Sequence, residues 1–103
     1  MPDHYHLLLC LLENRTLSEI MNSTNKFTAR AINTHLGVTG RFWQEGFHDH
    51  RCRNEHEADE LSIYIEHNPV RKGFVEFAEQ WQYSSAHPAN CFLLDRDWYA
   101  QVK

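Results

Sequence analysis

His4 and His6 stand either side of one bulky residue in Met1-Pro2-Asp3-His4-Tyr5-His6, directly ahead of the apolar run Leu7-Leu8-Leu9-Cys10-Leu11-Leu12. On an extended strand, side chains two apart share a face, so both imidazoles would point the same way and could hold one divalent metal as neutral ligands. Further on, Tyr64 and Asn68 lie i, i+4 in Tyr64-Ile65-Glu66-His67-Asn68-Pro69-Val70, a spacing that puts both on one face of a helix. A tyrosine so placed could attack phosphorus as a phenolate. A metal beside it would polarise the phosphate and offset the developing charge, and the Asn68 amide oxygen could be a third ligand. Each residue also fits a plainer role. The histidines could be an exposed pair at a strand start. Tyr64 could be a core aromatic in the stripe Leu61, Tyr64, Ile65 and Asn68, with Asn68 simply a helix end before proline.

His48-Asp49-His50 repeats the histidine spacing with a carboxylate between. It is a rival metal pair, a phosphate contact or a polar exposed edge. All four histidines together would suit a structural metal protein, folded only when loaded. Lys26, Arg30, Arg41, Arg51, Arg53, Arg71 and Lys72 are scattered among acids. They could hold a DNA backbone or be solvated surface charge. Phe42, Trp43 and Phe47 could stack on unpaired bases or fill a core.

These residues need elements to position them. The run from His4 to Leu12 suits a central strand covered on both faces. It stands first in the chain, and no earlier segment is there to pair with it. Thr16 to about Leu36 reads as a helix, with Thr16 as N-cap, Glu19 completing a capping box, and Gly37 and Gly40 closing it. Its expected apolar stripe is Leu17, Ile20, Met21, Thr24, Phe27, Ala31 and Ile32. Arg41 to Arg53 reads as extended, and Glu55 to about His67 as a second helix capped by Asn54 and ended by Pro69. Trp81, Tyr83, Trp98 and Tyr99 suggest a tail packed onto the body.

The 103 residues make one small domain. No run approaches ~18 apolar residues, so no membrane span is expected, and no basic segment precedes the apolar run as in a secretory signal. Three well-separated cysteines, Cys10, Cys52 and Cys91, suit reduced thiols in the cytoplasm. A net charge of -4 argues against a protein that merely coats nucleic acid. It leaves room for an enzyme with its basic residues gathered in one groove.

The order of the pieces is more specific than any one of them. Met1-Pro2-Asp3-His4-Tyr5-His6-Leu7-Leu8, then Phe42-Trp43-Gln44-Glu45-Gly46-Phe47-His48-Asp49-His50, then Tyr64 through Gly73, then Trp81-Gln82-Tyr83-Ser84-Ser85, resembles the REP-associated tyrosine transposases. These belong to the IS200-like, single-tyrosine HUH transposases. The resemblance runs from Met1 to about His87, and Asp95 to Tyr99 resemble the tail of some members. It implies cleavage and rejoining of single-stranded, hairpin-bearing DNA through a 5′-phosphotyrosine, with Mg²⁺ or Mn²⁺ bound. It places the HUH pair on His4 and His6, the nucleophile on Tyr64 and the third ligand on Asn68, with His48 and His50 outside the motif. It implies a monomer, or a homodimer exchanging the tyrosine helix. The implied fold is α+β and ferredoxin-like, an antiparallel sheet with two main helices. The strand, helix and strand that usually precede the HUH strand have no counterpart here. The chain therefore reads as the C-terminal part of such a domain, spanning 1–103, active or reduced to a remnant that binds hairpin DNA.

Overall fold

The computed structural model describes residues 1–94, so the readings made for Trp98, Tyr99 and the Asp95 to Tyr99 tail lie outside the described residues. The chain divides into two compact units, Met1–Cys10 with Arg51–Lys103, and Leu11–His50.

The second unit is built on helix α1, Leu17–Leu36. Thr16 caps it as its sequence implies, with Oγ1 accepting from the Glu19 N–H at 3.2 Å and donating to Glu19 Oε1 at 3.1 Å. At the other end Gly37 takes φ +68, a left-handed conformation open to glycine without a Cβ clash. The chain turns there, and the Val38 N–H reaches the Asn33 carbonyl at 2.9 Å. The sheltered stripe of α1 differs from the expected one. Met21 is buried and Leu17, Ile20, Thr24, Thr28 and Ile32 are partly covered, but Phe27 is 74% exposed and Ala31 is also exposed. The 3.6-residue repeat lets the stripe step on from Thr24 by three or four residues, and Thr28 takes the place given to Phe27 because Trp43 docks on it. Thr28 Oγ1 donates to the Thr24 carbonyl at 2.8 Å and accepts from the Trp43 indole N–H at 2.9 Å. The indole is thereby docked on α1, with Phe42 edge-on to it at 4.9 Å.

The first unit is built on helix α2, Glu55–Arg71. Asn54 caps it, Oδ1 accepting from the Glu57 N–H at 2.9 Å. The expected end at Pro69 is wrong, for the helix runs through the proline to Arg71. A proline lacks its own N–H and crowds the turn before it, but its carbonyl still accepts from Phe74 at 2.9 Å while Lys72 donates to the Asn68 carbonyl at 3.0 Å. Placed in the last turn, Pro69 removes one bond from the ladder and leaves the following turn closed. Gly73, with φ +79, ends the helix. Ala58, Asn68 and Pro69 are the buried residues of α2, and a 3-10 turn at Ala78–Gln80 packs against the helix with Ala78 buried.

Among the described residues there is no strand, so the expected antiparallel sheet of an α+β ferredoxin-like fold is overturned. A strand exists through the N–H and C=O groups of a neighbour, and no described segment forms a ladder with residues 4–12. The apolar run is accordingly not a covered central strand. Leu7, Leu8, Leu9, Leu11 and Leu12 are all exposed.

Candidate functional site

Two segments of the first unit, far apart in the chain, bring five of the singled-out side chains into contact. His4 and His6 come from the N-terminal segment, and Tyr64, Asn68 and Arg71 from one face of α2. The imidazole rings of His4 and His6 are 5.0 Å apart between centroids and perpendicular. Asp3 Oδ1 lies 2.6 Å from His4 Nδ1. A carboxylate only accepts, so His4 Nδ1 carries the hydrogen and donates it, which in a neutral ring puts the lone pair on Nε2. The same bond lowers the Asp3 pKa below the ordinary aspartate value.

Among the described residues of the unit, Asn68 is the buried polar one, only 4% exposed. Its Nδ2 lies 3.1 Å from His6 Nε2 and its Oδ1 3.3 Å from Arg71 Nη2. Arginine carries only donors, so the amide atom facing Arg71 is the oxygen and the atom facing His6 is the nitrogen. His6 Nε2 therefore accepts, and its proton sits on Nδ1. Burial, with smaller contributions from His4, the N-terminus and Arg71, lowers the His6 pKa, which favours that neutral ring.

Tyr64 is 49% exposed, not a core aromatic. One edge meets His6, with centroids 6.5 Å apart and planes at 85°. The Arg71 guanidinium carbon lies 3.9 Å from the Tyr64 ring centroid, and Arg71 Nη2 also donates to the Tyr64 carbonyl at 3.4 Å. A cation over a half-exposed ring contributes about 0.5–1 kcal/mol. It fixes which face of the phenol remains open.

The residues fit a divalent metal. Two imidazoles sharing an ion, each nitrogen about 2.1 Å from it, stand with ring centres roughly 5 Å apart, as His4 and His6 do. No group of three His, Cys, Asp or Glu comes together among the described residues. The candidate third donor is the Asn68 amide, whose oxygen is turned to Arg71 and whose nitrogen faces His6.

The other candidates are placed differently. His48 and His50 are exposed in the Leu11–His50 unit, as are Lys26, Arg30 and Arg41, the last 3.8 Å from Glu45. Arg53 is paired with Glu57 at 3.0 Å and Arg51 is exposed. Lys72 caps α2 and borders a shallow depression with Asp3, His4 and Phe74. Two roles escaped the reading of the sequence. Asp3 orients His4, which adjacency alone could have suggested. Arg71, expected at the DNA backbone, also lies on Tyr64 and Asn68, and its spacing i+7 and i+3 from them was the available signal.

Comparison with known proteins bears on this same cluster. The family model described as Transposase IS200 like matches residues 1–68. A protein of Haemophilus influenzae named "Putative REP-associated tyrosine transposase" is 31% identical over 109 residues, covering 95% of this chain and 62% of that protein. The chain thus spans under two thirds of that relative's length. No solved structure matches the chain. The matched span begins before His4 and ends on Asn68, taking in both histidines, the tyrosine and the amide, and the chain belongs to the IS200-like transposase family.

Proposed function

We propose that this chain carries the tyrosine-and-metal site of an HUH transposase that cleaves and rejoins single-stranded DNA bearing REP-like hairpins. The observation that carries the reading is the meeting of His6 with Asn68 at 3.1 Å across 62 positions of sequence, with Tyr64 and His4 on the same cluster. His4, His6 and Asn68 would hold Mg²⁺ or Mn²⁺, which when bound supplies Lewis-acid polarisation of the scissile phosphate. The Tyr64 oxygen gives up its proton and forms a bond to phosphorus, while the bond from phosphorus to the 3′ oxygen breaks. The 3′ oxygen leaves as a hydroxyl after taking a proton, and the 5′ phosphate stays on Tyr64. Rejoining is the reverse, with a 3′ hydroxyl displacing the tyrosine. Arg51 and Lys72, on the same unit, are available for the DNA backbone. No described helix is long and apolar enough to cross a membrane.

A second reading is a module that holds hairpin DNA without cutting it. It draws support from the absence of a described strand to stiffen the segment bearing His4 and His6. The two separate on a denaturing gel. With Mn²⁺ and a labelled single-stranded hairpin, the chain should form a covalent adduct that disappears in Tyr64→Phe, with the native gel shift retained. An adduct surviving in Tyr64→Phe would remove Tyr64 from the nucleophile's role. A gel shift with no adduct in either chain would favour the binding module.

A further inference from the structure

We infer that Arg71 is a positioning residue that competes with the metal for the Asn68 amide oxygen, so that metal binding and release of the Arg71 guanidinium are one event. The inference rests on the proposed metal site. Its basis is the orientation of one buried amide. Asn68 has a single oxygen, and in the structure it accepts from Arg71 Nη2 at 3.3 Å. The amide nitrogen, 3.1 Å from His6 Nε2, covers the very lone pair a metal would take. An NH₂ group is no metal ligand, so the site as it stands is closed to three-way coordination. To ligate alongside His6, the amide must turn about its last side-chain bond and bring its oxygen round. That turn would present the amide nitrogen to Arg71, and two donors repel. Arg71 must then let go of Asn68.

What Arg71 does on release follows from where it sits. Its guanidinium lies over the Tyr64 ring at 3.9 Å and against the Tyr64 carbonyl at 3.4 Å. A planar fork of donors freed beside the tyrosine suits a phosphate oxygen, which it can bind bidentately. With the metal absent, Arg71 keeps Asn68 turned away. With the metal present, the same guanidinium faces the phosphate that Tyr64 would attack.

The competition is measurable without any cleavage. Arg71→Met keeps the apolar stem and removes the fork, and it should bind Mn²⁺ roughly threefold to tenfold more tightly than wild type, the effect of one ordinary hydrogen bond no longer opposing the ligand. Loss of a nearby positive charge would raise affinity too, and a double-mutant cycle separates the causes. Acting through Asn68, Arg71→Met should give no such gain in an Asn68→Ala background. Asn68→Ser, which also lacks the amide, replaces that background if Asn68→Ala does not fold. An equal gain in both backgrounds would mean simple charge repulsion and overturn the inference. Unchanged Mn²⁺ affinity in Arg71→Met, with wild type binding the ion, would also overturn it and leave the metal site standing. No Mn²⁺ binding by any variant would overturn the metal site itself and the competition with it.

Discussion

Desolvation and the nearby positive groups make His6 reluctant to take a proton in the folded chain. Its lowered pKa means that the unfolded chain binds more protons between that value and the ordinary histidine value of ~6.5. The stabilising contribution is therefore complete above ~6.5 and lost as pH falls through the lowered value. Wild type should lose more stability than His6→Gln when urea unfolding is compared at about pH 7 and about pH 5. Equal losses would show that another group carries the dependence. At Asn68, both amide ends are bonded inside a buried position, so Asn68→Ala should destabilise by about 1–3 kcal/mol as His6 and Arg71 lose their partners. Thermal unfolding measures it, and a change near zero would mean that water replaces both bonds. That sensitivity is separate from the metal-affinity cycle for Arg71, which compares the effect of Arg71→Met between the wild-type and Asn68→Ala backgrounds.

At the scale of elements, α2 is the part on which the site depends, since it carries Tyr64, Asn68 and Arg71 on neighbouring turns. Its start is held by Asn54 and its end by the left-handed Gly73. Asn54→Ala should cost about 1 kcal/mol through loss of the N-cap, seen as a lower midpoint in the helical circular-dichroism signal. An unchanged midpoint would mean the first turn frays already. The caps of both helices were legible in sequence because a cap is a local bond, three residues long. The run of α2 through Pro69 was not. A proline marks the loss of one N–H, and whether the chain continues depends on donors beyond it, here Lys72 and Phe74. The tilt of the α1 stripe away from Phe27 likewise follows from what docks on it, Trp43 through Thr28.

At the scale of the whole chain, the buried apolar residues among those described are Met21, Ala58 and Ala78, while Leu7, Leu8, Leu9, Leu11 and Leu12 stand exposed. A row of uncovered leucines favours association, as an unpaired apolar edge does. The chain should self-associate in sedimentation as its concentration rises, and Leu8→Gln with Leu11→Gln should reduce that association. A wild-type chain that stays monomeric at high concentration would show that these leucines are covered in solution. The far-ultraviolet spectrum should be helical, without the signature of a sheet.

The sequence by itself determined the two helices, their N-caps at Thr16 and Asn54 and the residues able to do the chemistry. These are local matters, settled by 3.6-residue periodicity, by bonds between near neighbours and by the functional groups themselves. Only the tertiary structure decided that His4–Leu12 joins no sheet, because a ladder needs a partner segment that local pattern does not reveal. It also decided that Arg71 faces Tyr64 and Asn68. And it decided that the Asn68 oxygen points at Arg71 while its nitrogen meets His6. That last fact depends on which partners surround one buried amide, the acceptor His6 62 positions away and the donor Arg71 three positions away.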